Sequence, residues 1–354
     1  MLKFLILVVA MQIGCAAKAP VKGIDAVQGI PDRIAFGSCA RSIKPQPILN
    51  TIVDAEPDLF VYLGDNIYGD TRLAFLMRAK YEQLAIKKPF KRLRSNVPVL
   101  SIWDDHDYGG NDDGAENTFK TTSEKIFLDF WRVPLDSERR KRPGIYGHHI
   151  FEENGRKLQL VLLDTRYFRG KLTKNKRRDI KGPNAKFRRR YKPNARPNQT
   201  VLGEAQWVWL EERLKEDADV TIIASSTQFA HAYNGLESWN NFPAEKARML
   251  KLIQETGANG VIFTSGDVHW GEISREPKGA GYPIYDITSS GLTQVHDWAS
   301  SNKKRVGKAL KEHNFGVIDF NWKLADPEIC MRLLDIKGKI RRQACTTLSE
   351  ISAH

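Results

Sequence analysis

Long apolar runs are nearly absent from this 354-residue chain. The exception is Met1–Met11, which contains "FLILVVAM" and is too short to cross a bilayer comfortably. No internal repeat is visible, which excludes a solenoid or propeller. No linker-like stretch follows residue 32, so one domain is expected. Cysteine is scarce, with four in all. Acids are almost missing from 169–196, where thirteen Lys/Arg face Asp179 alone. That segment supplies +12 of the net charge of +13, leaving the rest nearly neutral. It also has only two aromatics, Phe187 and Tyr191, thin support for the aromatic–basic interleaving of a single-strand nucleic-acid groove.

The N-terminal apolar stretch reads as a secretory signal. In the following "QIGCAAKAP", Gly14-Cys15 resembles a lipobox, whose cysteine becomes a lipidated N-terminus. Gln12 stands where that motif usually has Leu, and simple secretion is the alternative. The expected layout is a signal over 1–15, a tether over 16–32, and a single folded domain over 33–354 carrying the basic segment as an insertion. Export makes the compartment oxidising. Cys330 and Cys345 flank "MRLLDIKGKIRRQA", read as a hairpin turning at Lys337-Gly338. A two-residue turn would set them opposite each other for a disulfide, with the register open by one residue. Cys39 then has no partner, and an unpaired thiol calls for another explanation.

Strand-like runs recur at 33–38, 58–64, 97–103, 158–163, 220–225 and 260–265. Amphipathic patterns between them predict helices at 46–55, 71–86, 203–216 and 243–256. Short strands near 283–288, 315–320 and 329–334 close the chain. This alternation, ending in strands, predicts an α/β protein of layered sheets. The six runs share one habit: each is followed by polar, ligand-type residues. They deliver Ser38-Cys39, Asp65, "DDHDYGGNDDG" (104–114), "DTRYFR" (164–169), "TQFAH" (227–231) and "DVHW" (267–270). Open α/β sheets build their sites at such strand ends. Carboxylates suit hard cations, while thiolate and imidazole suit transition metals. The adjacent acids of "DDHD" repel one another unless exposure or a cation relieves them.

The ordered series "FGSC", "GDNIYGD", "WDDHDYGGND", "LDTRYFR", "LGEAQWVWLEERL" and "SGDVHWGE" resembles the alkaline phosphatase D (PhoD-like) family of the calcineurin-like metallophosphoesterases. The resemblance runs from about Ile34 to Glu272. It implies a two-sheet β-sandwich flanked by helices, four layers α/β/β/α, and an exported phosphoric ester hydrolase acting on mono- or diesters. It further implies Asp65 as the carboxylate bridging the metals, with Cys39 and Tyr68 as iron ligands. Asp105 would bind a second metal, with Asn111 as a further ligand, and Asp267 and His269 complete the metal set. His106 would face the substrate and supply a proton, and Arg166 would contact its phosphate. Gln228 and His231 are weaker substrate-binding candidates. The family suggests Fe3+ with Ca2+; Zn2+, Mn2+ and Mg2+ are alternatives. Two cations neutralise the phosphate's charge and lower the pKa of bound water, and a metal-bound thiolate would account for Cys39. The expected partners are a phosphate ester and a membrane reached through lipid on Cys15, with no specific nucleic-acid partner, the protein being a monomer in the periplasm or at the cell surface. A basic loop beside Arg166 favours polyanionic or lipid substrates. The rival readings are a nuclease or phospholipase-type phosphodiesterase acting on a polyanionic substrate and a non-catalytic lipoprotein that binds anions.

Overall fold

The runs LFVYL, VTIIA and VIFTS are buried along their whole length. A strand buried on both faces needs a layer on each side, and a single solvent-facing sheet cannot supply that. The computed structural model describes residues 21–176, 190–194, 196, 199–277 and 279–353. The signal segment with Cys15, and residues 177–189 of the basic segment, lie outside the described residues.

The first strands are β1 (Arg33–Gly37), β2 (Leu59–Leu63), β3 (Val99–Ile102), β4 (Gly147–Glu153) and β5 (Arg156–Leu162). A short ribbon follows, β6 (Thr173–Lys174) and β7 (Tyr191–Lys192). The rest are β8 (Val220–Ala224), β9 (Val261–Ser265), β10 (Gly271–Glu276), β11 (Ile284–Ser289), β12 (Arg305–Leu310), β13 (Asn314–Asn321), β14 (Glu328–Asp335) and β15 (Ile340–Thr347). The helices are α1 (Ile48–Asp54), α2 (Ala74–Ala85), α3 (Lys88–Asn96), α4 (Asp105–Tyr108), α5 (Lys120–Phe130), α6 (Gly203–Leu214) and α7 (Pro243–Thr256). Helix α7 begins with Pro243 in its first turn and ends at Gly257 in the left-handed conformation, as its sequence signals require.

Two large sheets result. One has the order β15-β14-β13-β1-β2-β3, the other β12-β10-β11-β9-β8-β5-β4. The first sheet has a parallel half, β1-β2-β3, ending at the edge strand β3, with antiparallel strands on its other side; the second has a parallel centre, β5-β8-β9-β11, flanked by antiparallel strands. The sheets meet where β11 packs on β13, and Ser289 donates to Asn314 there at 3.1 Å. At one end the loops are interlaced: Ser38 N–H donates to Ser289 C=O at 3.0 Å, and Leu292 N–H returns to Ser38 C=O at 3.1 Å. A Cβ on Gly266 would lie 2.4 Å from Ser38 Oγ, so only glycine lets the end of β9 come this close to the end of β1. The parallel strands of both sheets thus deliver their C-terminal loops to one place.

The β14–β15 hairpin pairs Cys330 directly with Cys345, and the disulfide is formed. Gly338 adopts the positive φ that its turn needs. No helix among the described residues is long and apolar enough to cross a membrane.

Candidate metal centre

Strands β1, β2 and β9 pass into left-handed backbone just beyond their ends. Nine non-glycine residues in the described chain have positive φ, and six of them, Cys39, Asp65, Asp70, Asp112, Asp267 and His269, belong to this end of the molecule. Left-handed backbone costs an L-residue roughly 1–2 kcal/mol, and such strain persists where the surroundings over-determine it. Here it turns side chains inward. Gly64 has φ +96°, and a Cβ there would meet Asp104 Cβ at 2.5 Å, so the loops after β2 and β3 approach closely only because it is glycine.

The "DDHD" run resolves into two jobs. Asp104 caps the one-turn helix α4, and Asp107 returns to accept the Asp104 N–H at 2.6 Å. Asp107 also accepts Asn66 Nδ2 at 2.5 Å, tying the loop after β2 to the loop after β3. Asp105 and His106 face the hollow. The Asp105 carboxylate accepts the backbone N–H of His106 at 2.9 Å and of Asp112 at 2.7 Å. His106 Nδ1 lies 2.5 Å from Asp70 Oδ1, and its ring stacks on Tyr68 with centroids 4.1 Å apart.

Four sets of side chains bring their ligand atoms within 4.8 Å of one another. They are Cys39, Asp65 and His269; Asp65, Asp105 and His106; Asp104, Asp105 and Asp267; and Asp105, Asp112 and Glu237. Asp65 belongs to the first two and Asp105 to the last three. Cys39 Sγ is 3.6 Å from Asp65 Oδ2 and 3.0 Å from Ser290 Oγ. Tyr68 Oη is 2.9 Å from His269 Nε2. Asp65, Asp105, His106, Asn111, Asp267 and His269 all line one hollow of about 120 Å³, with Asn111 on its exposed side.

The electrostatics are those of a site with too many anions. Burial, then repulsion from neighbouring acids, holds Asp267 well above the usual carboxylate range. Asp65 is raised likewise by burial, although His106 opposes this. Burial, against the pull of Arg166, puts Asp104 at about 7. Burial, then Asp65, keeps the Cys39 thiol far above its ordinary value, so it ionises only beside a cation. Asp104 Oδ2 is buried without a hydrogen-bond partner. Bound cations would relieve every one of these penalties at once. The donors also fit in kind, with thiol, phenol and imidazole on one side of Asp65 and carboxylates on the other.

Three sequence-selected residues do something else. Arg166, expected to contact phosphate, is fully buried. Its Nε and Nη2 reach Asp104 Oδ1 at 2.6 and 2.5 Å, and Nη1 reaches Glu237 Oε2 at 2.5 Å. Its fork is spent on the protein's own carboxylates, because a buried guanidinium must be paired. Gln228 and His231 lie in a separate buried network around Glu272. Gln228 Nε2 donates to Glu272 at 2.7 Å and to Thr288 at 2.9 Å, while Asn234 donates to Gln228 Oε1 at 3.0 Å. His231 Nε2 is 3.5 Å from the same Glu272 oxygen. Neither residue lines the hollow.

Sequence reasoning passed over Asp112, Arg190, Tyr191, Glu237 and His296, all of which line the hollow. Asp112 stood inside the acidic run already singled out. Arg190, Glu237 and His296 sit in loops and Tyr191 in the short ribbon strand β7, none directly after one of the six apolar runs, so strand-end reasoning had no purchase on them.

A two-sheet α/β sandwich gathers ligand-type side chains at its strand tips, and solved structures share this fold. The chain superposes on the solved structure of PhoD with a TM-score of 0.68 at 17% identity, covering 90% of this chain and 69% of that one. It superposes on the structure titled GAP50, the anchor in the inner membrane complex of Plasmodium, with a TM-score of 0.58 at 13% identity, covering 90% and 89%. The model of the PhoD-like phosphatase family matches residues 74–280, more than half the chain, and the chain belongs to that family. Alkaline phosphatase D of Bacillus subtilis (strain 168) is 28% identical over 216 residues, 54% of this chain and 34% of the relative. The chain therefore spans about a third of the length of this curated relative. The matched span holds Asp105, His106, Asp267 and His269, while Cys39, Asp65 and Tyr68 precede it.

Proposed function

We propose that the protein is an exported, metal-dependent phosphoric ester hydrolase. The observation that carries this reading is the sharing of Asp65 between a Cys39–His269 set and an Asp105–His106 set. One carboxylate common to two ligand groups is the arrangement a two-metal phosphoesterase needs. Cys39, Asp65, Tyr68 and His269 would hold one cation, and Asp65, Asp105, Asn111 and Asp267 the other, with iron and calcium as the proposed pair. When bound, the cations neutralise charge at the phosphoryl group and supply a water of lowered pKa.

The chain's own residues provide the rest. Burial works against a charged His106, but Asp65, Asp105 and Asp70 outweigh it and raise its pKa to about 11. Asp70 engages Nδ1, which leaves Nε2 to give a proton to the departing ester oxygen. The neighbouring Asp65 and Asp105 carboxylates, once engaged in holding cations, would raise the His106 pKa less. Arg166 is a positioning residue: it fixes Asp104, the cap of the helix that carries Asp105 and His106.

The signal segment and Cys15 support export with a lipid anchor, and the Cys330–Cys345 disulfide suits an oxidising compartment. The periplasm or cell surface is the proposed location. The basic segment 169–196 would draw polyanionic or lipid phosphate esters to a monomeric enzyme.

Metal analysis of the purified full chain, with assays on chromogenic mono- and diesters, tests the reading. Asp65→Asn should lower the metal content and cut hydrolysis roughly a hundredfold or more. Full activity and full metal content in that variant would refute the shared-carboxylate centre.

A further inference from the structure

Recognition of a phosphoryl group needs a cationic donor that faces the hollow and is not already spent. Arg166 is fully buried and ion-paired to Asp104 and Glu237, as described. Arg169 is also consumed: Nη2 donates to Asp112 C=O at 2.6 Å and lies 3.3 Å from Glu237, Nη1 donates to Gly170 C=O at 2.8 Å, and the side chain is 4% exposed. Arg41 lies over the Tyr68 ring at 4.6 Å and is not among the residues lining the hollow. Arg190 differs from all three. It lines the hollow with its side chain 51% exposed, and Nη1 rests on Asp112 Oδ2 at 2.9 Å. The Arg190 guanidinium also lies 5.5 Å from the Tyr191 ring centroid. A guanidinium carries five N–H donors in a planar fork, so among the described residues its one ion pair leaves most of its hydrogen-bonding capacity uncommitted.

The backbone under Arg190 is fixed. Its C=O accepts Asn175 N–H at 3.0 Å, and Tyr191 N–H donates to Gly235 C=O at 3.1 Å. Tyr191 C=O accepts Asn175 Nδ2 at 2.9 Å and also the Tyr233 hydroxyl. The buried Tyr191 phenol donates to Asp112, the carboxylate that holds Arg190. A long cationic arm therefore stands on a rigid base at the rim of an acidic hollow, resting on an acid that itself belongs to the Asp105–Glu237 set. Such an arm binds an incoming anion without paying to order its backbone.

We propose that Arg190 is the phosphate-binding arginine of this site, exchanging Asp112 for the non-bridging oxygens of the phosphoryl group. The assignment rests on the phosphoesterase reading and gives the basic segment a specific role in it. One residue of that segment contacts the substrate, and the remaining charge attracts it from a distance.

The test uses the metal-loaded full chain, with inorganic phosphate titrated calorimetrically and a small chromogenic monoester for kinetics. Wild type is compared with Arg190→Ala, Arg190→Lys and a control, Lys323→Ala, which removes one exposed charge from the opposite end of the sheets. Arg190→Ala should weaken phosphate binding about 10- to 100-fold. KM should rise to match, with kcat kept within about threefold, the signature of lost uniform binding. Arg190→Lys should recover part of the loss, since a point charge replaces the fork, and Lys323→Ala should match wild type. Unchanged phosphate affinity in Arg190→Ala, or an equal loss in Lys323→Ala, overturns the assignment. Metal content is measured on every sample. Wild type that holds no metal and hydrolyses nothing, yet binds phosphate through Arg190, would sink the phosphoesterase reading and uphold this contact.

Discussion

Arg166→Met separates a positioning arginine from a substrate-binding one. The side chain is fully buried and pairs with Asp104 and Glu237 at 2.5 Å each. Methionine keeps much of the volume but leaves two buried carboxylates without their cation. Removing one partner of a buried ion pair costs about 3–5 kcal/mol, a large share of the roughly 5–15 kcal/mol that keeps a domain folded. Arg169, 3.3 Å from Glu237, covers part of the loss on that side, so Asp104 bears most of it. The cost should also depend on pH. Burial already raises Asp104 to about 7 against the pull of Arg166, so without Arg166 its pKa climbs further. A carboxyl with a raised folded pKa stabilises the fold while protonated, and that contribution is lost as pH rises through the folded value. The deficit should therefore be smaller at pH 6 than at pH 9. Urea unfolding of wild type and variant at both pH values measures it. A loss below about 1 kcal/mol at pH 9, accompanied by a raised KM, would show that Arg166 serves the substrate and that the pairing argument is wrong.

Two further outcomes concern stability alone. Replacing Cys330 and Cys345 together by Ser should cost about 3 kcal/mol, the loop-closure value for fifteen residues, read as a shift in the urea midpoint that reducing agent reproduces in wild type; no shift in either case would deny the bridge a stabilising role. His231 is held neutral by burial, with its pKa lowered to about 4, so the unfolded chain takes up its proton first as pH falls. About 3 kcal/mol of stability present above pH 6.5 should then be lost on the way down to pH 4. His231→Gln should flatten the pH dependence in that window, and an unchanged slope would contradict the linkage.

How far the molecule could be read from its residues depends on where each residue gets its meaning. The parallel strands were legible because LFVYL or VIFTS is apolar without interruption and is followed by a polar turn. Strand β4, "GHHIFEE", escaped notice: it is a half-exposed edge with a mixed pattern, recognisable chiefly through its pairing with β5. Helix α3, "KPFKRLRSN", is too basic to suggest a buried face, yet it buries Phe90 and Leu93. Around the hollow, Cys39, Asp65, Asp105, His106, Asp267 and His269 were found because each follows an apolar run closely, with left-handed backbone at Cys39, Asp65, Asp267 and His269. Arg166 also follows an apolar run closely. Whether it faces outward or is clamped by Glu237, seventy-one positions away, is decided by tertiary packing. Gln228 and His231 follow a strand too, but Glu272 and Thr288 of the neighbouring strands β10 and β11 take up the Gln228 side chain, and Glu272 sits beside His231.

The gathered side chains come from both sheets: Cys39, Asp65 and Asp105 from the tips of β1, β2 and β3, and Asp267 and His269 from the tip of β9. An ion seated among them works as a rivet through two plates. Each sheet can keep its own hydrogen-bonded ladder, but the seam between them is fastened at the same point where the chemistry is done. Occupancy of the hollow would then be linked to docking of the two halves of the sandwich, and loosening the seam would loosen the grip on the ion.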